Sequence, residues 1–431
     1  MRILCVSPRF APTNAADSHR LRLVLRYAED AGWQSEVLCV DARDVAVPSD
    51  PWLEETLPAH VAIHRVRASA SRLPVNTLAF RARASLAAKG DELLASGRFD
   101  LVFFSTTEFL VHLLGVRWQR AFRVPFCMDF QDPWVNEYYR QNPQVIPPGG
   151  RLKYALMDRI NRWAEQRVVR ACDGFLAVSH SYLTDLATRY GVAAQRRPSL
   201  VLPFPADPSE LALTAPETVN RGVWRYVGRG GADMRLAASA FFFAWARSRR
   251  TQPDSGAQRF EALGTSYAAD GQGEKSIEPL ADAHGLADVC RESPDRLGYL
   301  AMLATIRSSA ALVVFGSDDP SYTASKIYPY LLSRRPLLAI FHEQSSVVDL
   351  IKSVGGGVCV TFSSRDNIET LGNKIFERWF ANRSWCESVA LDSKNFEPFT
   401  AKAQAQQLKA WFDRVIEASC EKRQTSRVAE Q

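Results

Sequence analysis

Short apolar runs alternate with helical patterns along the whole chain, and this rhythm constrains the fold more than any other feature. "RILCVS" reads as a buried strand. A polar loop, "PRFAPTNAADS", then leads to "HRLRLVLRYAEDAG", where Leu21, Val24, Leu25 and Ala28 share a face and Gly32 stops the helix. The strands "SEVLCVD", "VAIHRV", "DLVFFS", "PFCMDF", "GFLAVS" and "LVLPF" follow with helices between them, the longest from about Arg151 to Ala171. The rhythm stops in "PADPSELALTAPETVNRG", broken by Pro205, Pro208 and Pro216, and restarts at "VWRYVG". "RFEALG", "ALVVFG", "PLLAI" and "GVCV" then alternate with helices, and a last helix runs from about Phe399 to Ala418. Alternation at this spacing implies parallel sheets with helices on both faces. The expected fold is α/β, with two Rossmann-like domains over 1–205 and 223–396. A linker is expected over 206–222, a C-terminal helix over 397–419 and an unstructured tail over 420–431.

The 431 residues suit two domains of ordinary size, and 46% apolar with 23% charged residues is average for a soluble chain. No stretch approaches the roughly 18 apolar residues that span a bilayer. "MRILCVSPRF" enters a strand at once, so neither a signal nor a transit peptide is expected. Eight cysteines lie far apart with no CxxC and no Cys/His cluster, which argues against zinc or a disulfide framework. Buried, reduced thiols in a cytoplasmic protein are expected. The net charge, 53 − 47 = +6, is scattered through helices, with no basic face interleaved with aromatics for nucleic acid. Membrane contact would be peripheral at most, with the helix around Arg81 and Arg83 as the nearest candidate.

In doubly wound sheets ligands sit beyond the carboxyl ends of the strands. With two such domains facing each other, chemistry is expected in the cleft between them. The first loop carries Asn14 and Ser18 ahead of Arg20, which suits an acceptor-contacting lip or an ordinary helix cap. "MDFQDPWVNEYY" ends a strand in Asp129, followed by Asp132 and Trp134. Two carboxylates three positions apart can orient sugar hydroxyls beside a stacking aromatic; an Asp-Pro turn with a packed tryptophan uses the same residues. "YVGRGGADMR" places Gly228, Arg229, Gly230 and Gly231 at a strand end, where glycines admit a ligand and arginine offers a planar fork to phosphate. "EALGTSYA" repeats the form with Thr265 and Ser266. In "GSDDPSYTASKIYPYLLSRRPLLAI", Asp318, Asp319 and Tyr322 precede Thr323, Ala324 and Ser325, expected to open a helix with free amides for a diphosphate. Lys326 would neutralise it, and no metal is invoked because a cation is disfavoured at a helix N-terminus.

Taken together, the chain resembles a GT-B glycosyltransferase close to the retaining family-4 type. The carriers are the opening strand-loop-helix, "DGFLAVSHSYLTDL", "YVGR" and "ASKIYPYLLSRRPLLAI"; "DFQDPW" resembles the "DFRDPW" of a bacterial subgroup. The resemblance spans nearly the whole chain and implies a last helix that crosses back to the first domain. It also implies UDP or GDP binding, a nucleotide-diphosphate sugar as donor substrate with no cofactor, and a role in cell-surface polysaccharide synthesis. It makes Arg229 a phosphate ligand, sets Lys326 near the donor, and leaves the acceptor a glycan, a lipid-linked or a small molecule. Asp129, Asp132 and Trp134 would serve acceptor or sugar. Retaining members use the donor phosphate to take the acceptor proton. The chain departs from the family pattern where Met234, Pro329, Ser321 and Gln131 replace a lysine, two glutamates and a histidine. A nucleotide-sugar 2-epimerase of the same fold, drawing on His342 and Glu343, and a catalytically degenerate binding member are the rival readings.

Overall fold

A computed structural model describes residues 1–70, 77–135, 137, 140, 150–191, 196–214, 218–252, 258–268, 271–320 and 322–429; Tyr138, Tyr139, Pro216 and Ser321 lie outside them. The chain forms two compact units, Met1–Pro203 with Ala401–Gln431, and Phe204–Thr400.

The first unit holds seven strands: β1 (Arg2–Val6), β2 (Gln34–Val40), β3 (Ala62–Val66), β4 (Leu101–Ser105), β5 (Phe126–Phe130), β6 (Gly174–Ala177) and β7 (Ser199–Val201). They pair in parallel in the order β3-β2-β1-β4-β5-β6-β7. β4 and β5 are buried at every position, which is why they read as apolar runs interrupted only by Ser105 and Asp129. The order reverses between β1 and β4, so their carboxyl ends open the crevice where such sheets take ligands.

The second unit repeats the plan with β8 (Asn220–Val227), β9 (Arg259–Leu263), β10 (Cys290–Ser293), β11 (Ser309–Phe315), β12 (Leu337–His342) and β13 (Val358–Phe362). All pairs are parallel, in the order β10-β9-β8-β11-β12-β13, with the switch between β8 and β11. Trp224, Phe241, Phe260 and Phe315 centre its core.

The chain returns to the first unit for its final helix, Ala401–Ala429. Ala401, Ala405, Leu408, Phe412 and Val415 recur every three or four positions and are buried. Trp411 and Phe412 stand edge-on to Phe103, and the Trp33 indole donates to the Ala405 carbonyl at 3.2 Å.

Four expectations shift. The helix continues through residues 420–429, where an unstructured tail was expected. The linker region contains a short helix, Pro208–Leu213, capped by Asp207 with proline at its first position, and β8 begins at Asn220. β10 and the helix Glu278–Asp282 carry no apolar run and were not anticipated. Of the cysteines, Cys386 and Cys420 are exposed and Cys359 is partly so, while the other five are buried. No helix among the described residues is long and apolar enough to cross a membrane.

Candidate functional site

At the carboxyl ends of β8 and β11, the second unit gathers cations and unpaired amides. The helix expected from Thr323 runs instead over Ile327–Ser333, with Lys326 as its N-cap. Pro329 sets this start. Proline has no N–H and is tolerated only in a first turn, where the amide lacks an intrahelical acceptor anyway. Thr323 and Ala324 therefore lie ahead of the helix and Ser325 and Lys326 in the turn that opens it, and their four amides have no partner among the described residues. The Lys326 ammonium likewise has no carboxylate or hydrogen-bond partner there. Burial, then the charge of Arg296 from the loop after β10, pushes its pKa down to about 7. An anion placed here would meet an amine and four amide donors, and would relieve the repulsion between two cations.

Arg229 is differently placed from its expected role. Its guanidinium donates to both Asp233 oxygens, at 3.0 and 2.6 Å, and lies 4.7 Å from the centre of the Tyr322 ring. Burial, the largest influence, opposes its charge, but the bond to Asp233 together with the charges of Tyr322, Asp233 and Tyr226 outweighs it and raises its pKa. At least two of the five donors of arginine are thus committed to Asp233, and a further one faces the Tyr322 hydroxyl. Burial, then the charges of Asp233 and Asp319, raises Asp318. Tyr226 holds the turn by donating to the Arg229 carbonyl at 2.5 Å.

The glycines of this turn serve the protein itself. A Cβ on Gly230 would lie 2.0 Å from Ser276 Oγ, and one on Gly231 would lie 2.5 Å from Asp233 Oδ1. One on Gly228 would meet the Tyr226 ring. The space beside each Cα is taken by those side chains. Thr265 is also occupied: its hydroxyl donates to Glu292 Oε1 at 2.5 Å, and Glu292 caps the amides of Ser276, Ile277 and Glu278. Ser266 closes its own turn by accepting from the Ala268 amide at 3.1 Å. Thr265→Val should therefore cost about 1 kcal/mol of stability, read as a lower urea midpoint with unchanged slope, and leave nucleotide affinity intact. A tenfold affinity loss instead would make Thr265 a ligand contact.

In the first unit, the expected acceptor residues lie within the packed rim. Arg20 Nε is 2.9 Å from Asp129 Oδ2, and both side chains are 0% exposed. Ser105 Oγ and Gln131 Nε2 also donate to that oxygen, at 3.1 and 2.8 Å. Ser18 caps its own turn on the Ala15 carbonyl, and Asn14 Oδ1 is 3.2 Å from His19 Nε2. Trp134 stacks on Phe109 at 5.4 Å and is buried, which realises the packed-tryptophan alternative. Asp132 alone of this set is exposed.

Several rim residues were not singled out from the sequence. Asp17, buried, accepts from Arg9, Thr106 and both the amide and hydroxyl of Thr107. Glu108 has its pKa raised by burial against the opposing charge of Arg9. Arg296 and Asp233 complete the second unit's rim; the i, i+4 spacing of Arg229 and Asp233 is the one signal that could have been read. His342, the epimerase candidate, accepts from the Gln344 amide at 3.2 Å and stands edge-on to Phe362. It serves its loop.

Residues 18–205 match the family model described as "Glycosyl transferase 4-like domain". No curated protein sequence matches the chain. Among solved structures, sucrose-phosphate synthase from Thermosynechococcus elongatus is 15% identical, with 99% of each chain covered and a TM-score of 0.60. Anabaena HepE, solved in complex with UDP-glucose, is 14% identical over 95% of this chain and 98% of its own, with a TM-score of 0.60. The lipopolysaccharide outer core galactosyltransferase WaaB is 14% identical over 98% and 100%, with a TM-score of 0.55. Residues 18–205 are thus similar to a glycosyl transferase 4-like domain, and the chain has, over nearly its whole length, the two-sheet fold of GT-B glycosyltransferases.

Proposed function

We propose that this chain transfers a hexosyl group from a nucleotide-diphosphate sugar to a glycan, lipid-linked or small-molecule acceptor, without a metal and with retention of configuration. The observation that carries the reading is the Lys326 amine, without a counter-ion among the described residues, beside four unpaired amides and Arg296 at a strand-switch point. A diphosphate supplies the missing charge there and gains charge-assisted hydrogen bonds. The protein's task is then to stabilise a leaving diphosphate with donors already in position. Arg229, with its remaining donors, is the second contact, and Asp132 the exposed residue offered to the acceptor. The UDP-glucose held by HepE and the outer-core activity in WaaB's name favour a nucleotide sugar and a cell-surface polysaccharide setting.

The test is release of nucleoside diphosphate from a panel of nucleotide sugars, in EDTA, with an acceptor library. One donor should turn over, and the anomeric proton of the product should keep the donor's configuration by NMR. A sugar isomerised while still on its nucleotide would replace this reading with the epimerase. Tight binding with no turnover across the library would leave a degenerate binding protein.

A further inference from the structure

The helix Arg151–Ala171 of the first unit buries only Ala164, Glu165, Val168 and Val169, all in its second half. At about 100° per residue, Leu152, Leu156, Arg159, Trp163, Arg167 and Arg170 fall along one line of its surface. Leu152 is 91% exposed, Trp163 57% and Leu156 53%, three of the seven large apolar side chains exposed among the described residues. Such residues are ordinary when scattered singly; aligned on one helix they form a face. Arg151, Lys153, Arg159, Arg167 and Arg170 are exposed around them, and Arg120 shares a shallow hollow with Trp163, Arg167 and Arg170. No acid of this helix balances that charge at the surface. Asp158 is only partly exposed and holds Arg162 at 2.9 Å, while Glu165 is buried against Arg189 and Tyr190.

We propose that this stripe docks on the surface of an anionic lipid bilayer, with Leu152, Leu156 and Trp163 entering the interface and the flanking arginines and lysine on lipid phosphates. Charge complementarity and the apolar side chains together select this occupant. Aliphatic groups as exposed as Leu152 gain by entering hydrocarbon, which a nucleic acid does not offer, and tryptophan suits the headgroup boundary. Anionic headgroups attract the five cations, with no exposed carboxylate on the helix to oppose them. The face differs from the helix expected from sequence, Leu78–Ala95, where Arg81 donates to the Asp44 carbonyl and is tied down. The inference is independent of glycosyl transfer.

The experiment is co-sedimentation of the full-length protein with phosphatidylcholine vesicles, pure or with roughly one phosphatidylglycerol in four. Binding should require the anionic lipid, weaken with salt, and shift tryptophan emission to the blue; the shift should vanish in Trp163→Phe. Leu152→Ser, at a site that contributes almost nothing to packing, and the pair Arg159→Glu with Arg167→Glu should each weaken binding at least about tenfold. Both should keep the wild-type melting temperature. Equal binding to neutral vesicles, no binding to either, or variants that bind like wild type would overturn the proposal. Capture of RNA or an acidic protein with vesicles ignored would do the same.

Discussion

Lys326→Met should lower affinity for the donor nucleotide sugar at least about tenfold, or about 1.4 kcal/mol, by titration calorimetry. It should also flatten the pH dependence of binding. The amine is pushed to about 7 by burial and by Arg296, so near neutral pH the free protein holds it only partly charged. A diphosphate diester loses no proton in this range, and its bound charge favours the ammonium. Binding above about pH 7 must therefore take up a proton. The sign follows. Affinity is flat below pH 7, where the amine is already charged, and falls as pH rises above it, by up to about tenfold per unit until the bound-state pKa is reached. Arg296→Gln, by removing the repelling neighbour, should move the fall to higher pH. The methionine variant should bind weakly at every pH, without that slope. An unchanged affinity, or a slope that survives the substitution, would remove Lys326 from the donor site. Arg229→Ala should cost less, because two of its donors already hold Asp233.

The contrast between these residues shows what can be read in the sequence. Central parallel strands such as "LVFFS" are legible because burial on both faces makes them apolar up to their carboxyl ends, where Ser105 turns to the buried Asp129. The edge strand Cys290–Ser293 alternates buried and exposed positions over four residues and carries Arg291 and Glu292, so nothing apolar marks it. Lys326 was legible as a cation after a strand end. The start of its helix was not, because only the folded chain shows that Pro329 sits in a first turn and so delays the helix to Ile327. Glycines and acids at strand ends misled for a shared reason. Sequence places them on the rim, but whether a group turns outward or inward depends on partners far along the chain, such as Ser276 for Gly230 and Arg20 for Asp129.

That last pair gives the largest expected effect on stability. Arg20→Met should destabilise the first unit by about 3–5 kcal/mol, the cost of leaving a buried charge without its partner. Asp129 keeps its bonds to Ser105 and Gln131 but loses its cation, and Arg20 no longer ties its helix to the carbonyls of Leu202 and Pro203, at 2.6 and 3.1 Å. Burial already raises the Asp129 pKa above its unfolded value, and Arg20 is the chief opposing influence. The folded state therefore binds the extra proton, and stability falls as pH rises from the ordinary carboxylate value through the raised one. Without Arg20 that window widens upward. The variant's loss should thus be largest near neutral pH and shrink on acidification, as Asp129 takes a proton and its charge disappears. Adding Asp129→Leu should recover much of the loss, because an apolar pair of similar volume needs no counter-charge. Denaturant unfolding of the wild type and both variants at two pH values measures all of this. If Arg20→Met instead left stability within about 1 kcal/mol of wild type and raised the KM for acceptor, the pair would belong to the binding surface and not to the packed rim.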